Sequence, residues 1–344
     1  NEYYTEYLRN SANWTHNGDV HTAEITFATN ARFTVDVACK DLADNESADM
    51  DEIEFILDKT GPEGLKISYE TSGVATLLEN ITFGFYKAPV TVTIEASDEN
   101  NGIDCFTYSY SVQDGASATN VGAENVVVEG SDLTYEGNKA SYSFEISAQF
   151  RGFVSFVATD MAGNSEDCYD EKCIVVDQVA PGITVEYDKV DAKNGKYFEG
   201  DREATIKITE SNFFAADMID LVPGTTEEYL VITIGKTLND GTYTLSKVRP
   251  DFVKDGDVYT AKIKFAENAD YTFDIKYTDR AGNVYDDYVM DEFTVDKSAP
   301  IINVSYDNNS CKNEDQFKAD RKATIVITEH NFVVNDVIAT VTMD

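Results

Sequence analysis

The sequence predicts an all-β chain of tandem immunoglobulin-like β-sandwich domains arranged end to end. Three observations predict it: a motif that recurs at a fixed period, apolar residues that alternate along short segments, and Gly/Asn/Asp turns between these segments. Alternation with a period of two is typical of strands with one buried face. Roughly seven such strands per repeat, in a unit long enough to close its own core, are typical of a two-sheet sandwich.

The recurring motif contains an aspartate, a short turn and, about 20 residues later, a proline. Its copies begin at Asp41, Asp160 and Asp279, at a spacing of 119 residues. The prolines at positions 62, 181 and 300 keep the same spacing of 119 residues. One spacing kept by several separated segments indicates tandem repeats with almost no insertions.

The prolines mark the joints between repeats. We expect complete repeats at residues 61–179 and 180–298, the C-terminal half of a repeat at 1–60, and the N-terminal strands of a further repeat at 299–344. The start resembles no signal peptide and the end no anchoring segment, so we expect an internal piece of a longer protein.

The alternation is clearest in the segment YTFDIKYTD, whose apolar set runs from Tyr271 to Tyr277 in steps of two. The equivalent set in the first copy ends at Cys39, which we expect to be a small core residue. Because no segment shows the 3.6-residue periodicity of an amphipathic helix, we predict no helix.

The charge of the chain excludes several classes of partner. There are 63 acidic and 27 basic residues, and the formal net charge is −36. Such a surface is repelled by nucleic-acid backbones and anionic lipids. Because the chain also lacks an apolar run of about 18 residues, we expect no nucleic-acid binding and no direct membrane insertion.

Catalytic motifs are absent from the sequence. Its three histidines, His16, His21 and His330, lie in no nucleophile or metalloprotease motif. Paired carboxylates are expected at this acidic composition and do not indicate a glycosidase. We therefore predict that the protein is not an enzyme and requires no cofactor.

The five cysteines are too few for a disulfide scaffold. Cys168 and Cys173 flank a four-residue segment, and we expect them to form a cross-strand disulfide. Cys105 and Cys311 have no evident partner.

The motif aspartates have two interpretations, and the sequence leaves both open. In the first, they and the following asparagines only stabilise turns and strand ends. In the second, the end of the last strand of one repeat faces the loops of the next repeat, and the converging carboxylates bind Ca²⁺. The candidate ligands are Asp58, Asp98 and Asp160 at the first joint, Asp177, Glu210 and Asp279 at the second, and Asp296 and Glu329 at the third.

The strings DRAGN, FTVDKSAP and INVSYD resemble the bacterial immunoglobulin-like (Big-type) tandem repeats of large Gram-positive cell-surface proteins. The resemblance covers essentially the whole chain and implies an extracellular location, anchored to the cell wall through another segment. It also implies Ca²⁺ at the joints, as in some adhesins. The first copy departs from the pattern with Asp44 in place of Gly163 and Gly282, but all these residue types accept a left-handed turn.

The resemblance implies an elongated, monomeric adhesive stalk or an array that binds a host protein or glycan. Two alternatives remain: an immunoglobulin-binding protein of a gut bacterium, similar to a B-cell superantigen, and spacer domains of a secreted glycan-active enzyme. The repeats diverge most at residues 100–135 and 220–255, where we expect the partner surface.

Overall fold

The computed structural model of the protein describes residues 2–71, 84–113, 122–147, 149–313 and 315–343. The chain divides into two compact units, residues 1–178 and 179–344. None of the helices in the described ranges is both long enough and apolar enough to cross a membrane.

The first unit begins with a half-repeat that forms two small two-stranded sheets, β1 with β2 and β3 with β4. Its elements are α1 (Glu2–Arg9), β1 (Thr15–Asn17), β2 (Val20–Thr22), β3 (Ala31–Val35) and β4 (Ile53–Leu57).

A complete β-sandwich follows in the first unit. Its strands are β5 (Glu63–Thr71), β6 (Phe85–Tyr86), β7 (Val90–Ser97), β8 (Ile103–Val112), β9 (Ala123–Glu129), β10 (Thr134–Glu136), β11 (Lys139–Ile146), β12 (Phe150–Asp160), β13 (Ser165–Tyr169) and β14 (Ile174–Val176). The smaller sheet has the order β10-β11-β7-β5, and the larger has the order β6-β14-β12-β8-β9, with β13 also paired to β12.

This topology is immunoglobulin-like. The order β5-β7-β11-β10 corresponds to strands A, B, E and D of the immunoglobulin fold, and β8, β12 and β14 correspond to C, F and G. The two sheets enclose one core, in which Ile94 and Phe106 are fully buried and the rings of Phe106 and Phe156 meet edge to face at 5.5 Å. The prediction of an all-β sandwich fold is therefore confirmed.

The second unit contains a sandwich of the same topology, followed by a two-stranded sheet of β25 and β26. The sheet orders are β15-β17-β21-β20 and β16-β24-β22-β18-β19, with β23 paired to β22. The strands are β15 (Gly182–Tyr187), β16 (Tyr197–Phe198), β17 (Arg202–Thr209), β18 (Leu230–Leu238), β19 (Tyr243–Val248), β20 (Val253–Asp255), β21 (Val258–Phe265), β22 (Ala269–Thr278), β23 (Val284–Tyr285), β24 (Asp291–Val295), β25 (Ile301–Tyr306) and β26 (Ala323–Thr328). Short 3-10 helices occupy Ser11–Asn13 and Gly130–Asp132 in the first unit, and Ala215–Met218 and Val334–Asp336 in the second unit.

The predicted alternation holds in β22. Tyr271, Phe273, Ile275 and Tyr277 are all buried in the core of the second sandwich. The residues between them, such as Thr272 and Asp274, lie on the outer face of the sheet because successive side chains of a strand point to opposite faces.

Two sequence-based predictions about the half-repeat are wrong. Cys39 is exposed and lies four residues beyond the end of β3, where its N–H and C=O bond to Ser47. A helix, α1, does form. It is stabilised by tertiary contact, since Tyr4 packs against Phe27 with ring centroids 4.8 Å apart and against Phe33 at 6.0 Å.

The predicted disulfide between Cys168 and Cys173 is not formed, and both are free thiols. Cys168 lies opposite Phe156 on β12, whereas Ile174, the residue after Cys173, lies opposite Gly152. Along β12 this offset corresponds to about 10 Å, beyond the roughly 7 Å between Cα atoms that a disulfide can bridge. Because the offset is an odd number of residues, the two side chains also lie on opposite faces of the sheet.

Candidate metal centre at a repeat joint

Three aspartates converge where the half-repeat meets the first sandwich. Asp58 directly follows β4, Asp98 directly follows β7, and Asp160 is the last residue of β12. Each can offer one carboxylate oxygen, and these atoms all lie within 4.8 Å of one another. The three residues are 8%, 2% and 1% exposed, respectively.

Only one of the two carboxylate oxygens of Asp58 has hydrogen-bond partners. Its Oδ1 accepts hydrogen bonds from Asn30 Nδ2 at 3.1 Å, Asn100 Nδ2 at 3.2 Å, and Thr60 N–H and Oγ1 at 3.1 and 2.7 Å. Its Oδ2 is buried without a hydrogen-bond partner. Leaving a buried carboxylate oxygen unsatisfied costs free energy, so this atom marks a place for a ligand.

Asp98 is oriented by the loop that follows it. Its Oδ1 accepts the backbone N–H groups of Asn100, Asn101 and Gly102, at 3.0, 2.9 and 3.3 Å. These bonds hold the carboxylate in one orientation and leave Oδ2 for a ligand.

Asp160 is held by the turn of the recurring motif. Its Oδ1 accepts the N–H groups of Ala162 and Asn164 at 2.8 and 2.9 Å, and its Oδ2 accepts Asn164 Nδ2 at 2.8 Å. Gly163 supplies the left-handed conformation that the turn requires, with φ of 88°. Asn164 Nδ2 also lies 3.3 Å from the backbone carbonyl of Asp58, so the turn contacts the half-repeat directly.

A second side-chain oxygen without a hydrogen-bond partner lies in the loop that follows Asp98. The side-chain Oδ1 of Asn101 is buried and has no hydrogen-bond partner, while its own backbone N–H donates to Asp98. Amide oxygens are ordinary Ca²⁺ ligands.

The electrostatics of the cluster require a counter-charge. Two ionised carboxylates with oxygens no more than 4.8 Å apart repel each other by at least about 3.5 kcal/mol at an effective dielectric constant near 20. Among the described residues, none of the ion pairs involves Asp58, Asp98 or Asp160. The neighbouring Lys59 instead donates to the carbonyl of Ala28 at 2.9 Å.

The geometry fits a Ca²⁺ ion. Ca²⁺–O distances are about 2.4 Å, so two oxygens that bind the same ion lie no more than about 4.8 Å apart, and the three carboxylate oxygens lie within that separation of one another. Three carboxylates and water can supply the 6–8 oxygen ligands that Ca²⁺ takes. The cluster offers only oxygen ligands, so it does not favour a metal that prefers sulfur or nitrogen ligands.

The turn interpretation of the motif also holds, at every copy. Asp41 accepts Ala43 N–H, Asn45 N–H and Asn45 Nδ2 at 2.8, 2.9 and 2.7 Å, as Asp160 does in its own turn. Asp44 has φ of 63° at the position of Gly163. Within the part of the chain that the structure describes, Asp41 belongs to no carboxylate cluster. The turn therefore forms independently of any cluster.

The second unit repeats two of the three positions. Glu210 follows β17 as Asp98 follows β7, and its Oε1 accepts Asn212 N–H at 2.7 Å. Asp279 follows β22 and accepts both Asn283 N–H and Asn283 Nδ2 at 2.8 Å. Asp177, in the first unit, follows β14 as Asp58 follows β4. That Asp177 joins Glu210 and Asp279 in a second site stays a prediction.

The third predicted joint lies within the second unit. Asp296 follows β24 and accepts Asn331 Nδ2 at 2.9 Å through its Oδ2, and Ser298 N–H at 3.1 Å through its Oδ1. Asn331 also donates its backbone N–H to Glu329 Oε1 at 3.0 Å, and thus bridges the two acidic residues.

Sequence reasoning missed the amide side chains that orient the acidic ones. Asn30 donates to Asp58, and Gln149 Nε2 donates to Asp177 Oδ1 at 2.9 Å. The corresponding Asn268 accepts Lys297 N–H at 3.1 Å. These three residues are spaced 119 residues apart, so the repeat period alone could have identified them as equivalent amide side chains.

The second sandwich also contains a buried ion pair that the sequence did not indicate. Asp217 accepts Arg280 Nε at 2.8 Å and the Tyr277 hydroxyl at 2.9 Å, and Arg280 reaches Asp220 at 2.7 Å. Burial raises the pKa of Asp217, and hydrogen bonds from Phe214 N–H and Arg280 oppose that effect. This pair connects the motif turn to the 3-10 helix Ala215–Met218.

Comparisons with known proteins give distant likenesses only. No protein-family model and no curated protein matches the chain. It is similar to a tetra-tandem repeat in the extending region of a large adhesion protein, with 14% identity, a TM-score of 0.37, and coverage of 90% of this chain and 73% of that one.

Two further solved structures are α-2-macroglobulins. The Salmonella protein has 11% identity and a TM-score of 0.25, with 84% of this chain and 20% of that one covered. The Escherichia coli protein has 12% identity and a TM-score of 0.26, with 80% and 26% covered. At these TM-scores function has to be inferred from the residues of this chain.

Proposed function

We propose that the chain is a non-enzymatic segment of a bacterial surface protein, an adhesive stalk whose immunoglobulin-like repeats are joined through bound Ca²⁺. The observation that carries the proposal is the buried, unpartnered Oδ2 of Asp58, close to the carboxylates of Asp98 and Asp160. The resemblance of the repeats to bacterial surface proteins supports the location and the adhesive role.

The position of the cluster supports a joint and not a catalytic role. Asp58 belongs to the half-repeat, whereas Asp98 and Asp160 belong to the following sandwich. A cation held by all three residues would link the two domains and oppose bending at residues 58–63. A bound cation also removes the repulsion between carboxylates that otherwise pushes the domains apart.

Limited proteolysis of the full chain tests the proposal. Lys59 is an exposed trypsin site within the joint, and Lys189 is an exposed site in a loop of the second sandwich, where it serves as an internal control. We expect cleavage after Lys59 to be at least tenfold slower in millimolar Ca²⁺ than in EDTA, with cleavage after Lys189 unchanged. Equal rates after Lys59 in both conditions would contradict a cation-stiffened joint.

The ligand of the stalk needs its own test. A pull-down of host immunoglobulins and mucins with the full chain separates the immunoglobulin-binding alternative from a general adhesin. Immunoglobulin binding and the spacer role in a glycan-active enzyme both stay predictions.

A further inference from the structure

A shallow groove lies on the outer face of the larger sheet of the second sandwich. Its volume is about 130 Å³. Gly235 on β18 and Thr272 on β22, which pair directly, form its floor. Tyr243 on the edge strand β19, with Asp270 and Glu292, forms its walls.

Gly235 makes room for the aromatic wall. A Cβ atom at this position would collide with Thr272 Oγ1 and would lie 3.2 Å from the Tyr243 hydroxyl. Without that atom, the ring of Tyr243 lies across bare backbone while the residue stays 60% exposed. An exposed aromatic ring beside a groove offers an apolar surface to a flat ligand.

The polar groups around the ring include both donors and acceptors. Asp270 and Glu292 offer carboxylate oxygens, and Lys196 offers an ammonium group. Asp270 is held in place, since its Oδ1 accepts the Thr294 hydroxyl and its Oδ2 lies 3.9 Å from His330 Nε2. Such a mixture is complementary to hydroxyl groups, which both donate and accept. An anionic ligand would be repelled by the two carboxylates, and Lys196 offsets only part of their negative charge.

The first sandwich shows that the groove is not a general property of the fold. Phe153 stands at the position of Thr272, and Arg151 at that of Asp270, by the spacing of 119 residues. Arg151 Nε donates to Gln113 Oε1 at 2.8 Å across the same place on the sheet. Three residues of the groove, Gly235, Thr237 and Tyr243, lie in the stretch 220–255, where the two repeats diverge most.

We propose that this groove binds one pyranose ring of a neutral glycan. The apolar face of the ring stacks on Tyr243, and adjacent hydroxyls donate to Asp270 and Glu292. At about 130 Å³ the groove is too small to bury a longer segment, so a single sugar ring would stack in it with its other face in solvent. The net charge of −36 disfavours sialylated and sulfated glycans. The site does not depend on the cation at the joint.

Saturation-transfer NMR and calorimetry on the full chain test this inference. The ligands are the methyl glycosides of glucose, galactose and mannose, and N-acetylglucosamine, each measured in Ca²⁺ and again in EDTA. We expect at least one of them to bind with a Kd of about 1 mM, equally in both buffers. Tyr243→Ala and Asp270→Asn should each weaken binding about tenfold or more.

Tyr169→Ala is the matched control, because Tyr169 is an exposed tyrosine of the first sandwich with 64% exposure. This variant should bind like the parent chain. Absence of binding by all four sugars, binding that survives Tyr243→Ala, or tighter binding of choline than of any sugar would overturn the inference. Sugar binding by a chain that binds no Ca²⁺ at the joint would contradict the proposed stalk joint and leave this inference intact.

Discussion

Asn100 donates through its Nδ2 to Oδ1 of Asp58 at 3.2 Å, across 42 positions of the chain. The same amide lies 3.0 Å from the Thr60 hydroxyl. These bonds connect the loop after β7 to the end of the half-repeat and fix which oxygen of Asp58 remains unsatisfied. The joint is therefore a hydrogen-bonded contact between two repeats and not a linker without contacts.

The turn and the metal roles of the motif can be separated by comparing two copies. Asp160→Asn removes a charged ligand from the cluster, and we expect Ca²⁺ affinity at the joint to fall about tenfold or more, roughly 1.4 kcal/mol. Asp41→Asn changes an aspartate with the same turn hydrogen bonds but outside any cluster among the described residues, and should leave affinity unchanged. Calorimetric Ca²⁺ titration measures both. Equal losses in the two variants would assign the effect to the turn.

Arg280 should be essential to the stability of the second sandwich. Replacing it by methionine, the residue at the equivalent position 161, leaves Asp217 buried without its cationic partner. We expect a loss of about 3–5 kcal/mol in the free energy of unfolding. Urea denaturation of the full chain measures it from the transition of the second unit. The double variant Arg280→Met, Asp217→Asn should recover most of the loss, and no recovery would show that the packing of Arg280 matters more than its charge.

The Arg280→Met variant should also be more stable at lower pH. Burial raises the pKa of Asp217 above its ordinary value of 3.8. The folded state then binds a proton more tightly than the unfolded state, so the penalty is absent below pH 3.8 and grows as the pH rises through the folded-state value. Urea midpoints measured from neutral to acidic pH should therefore converge with those of the Asp217→Asn double variant. A constant gap between the two would contradict this account.

The cysteines should all be available as thiols once the chain is unfolded. Burial raises the pKa of both Cys168 and Cys173, so alkylation of the folded protein at neutral pH should be slow at these residues. In denaturant without reductant, all five cysteines should be alkylated. Mass spectrometry that finds only three modified until reductant is added would restore the disulfide that the sequence suggested.

Gly235→Ala should destabilise the second sandwich, because the added methyl group collides with Thr272 Oγ1. We expect a cost of about 1–3 kcal/mol. Gly182→Ala is the control: a Cβ atom there meets Thr209 at an ordinary 3.6 Å, and the strand conformation suits alanine. Thermal unfolding should leave that variant near the parent stability. If neither substitution changes the unfolding temperature, Tyr243 and Thr272 move aside at little cost and the predicted collision is wrong.

Much of the fold follows from local pattern. The buried set of β22 was predicted because alternation is set by neighbours in sequence. Cys39 and α1 were predicted wrongly because burial in the half-repeat depends on tertiary contacts, such as that of Tyr4 with Phe27, which local pattern does not contain.

The candidate site was predictable in part. The grouping of Asp58, Asp98 and Asp160 follows from topology, since a last strand ends near the loops of the following repeat. The roles of Asn30 and Asn100 were not foreseen, because both contact Asp58 across a long stretch of sequence. Asn30 is separated from Asp58 by 28 positions and Asn100 by 42 positions. The disulfide failed for a related reason: β13 and β14 pair with different parts of β12, and sequence distance does not reveal that offset.

The central claim concerns one atom, Oδ2 of Asp58, and calorimetric Ca²⁺ titration of the full chain against Asp58→Asn tests it most directly. The substitution keeps an oxygen for the four hydrogen bonds now made to Oδ1 and replaces only the unpartnered oxygen with an amide group. We predict that the parent chain binds Ca²⁺ and that Asp58→Asn binds one ion fewer. The same number of ions with the same affinity in both proteins would contradict a metal at this joint.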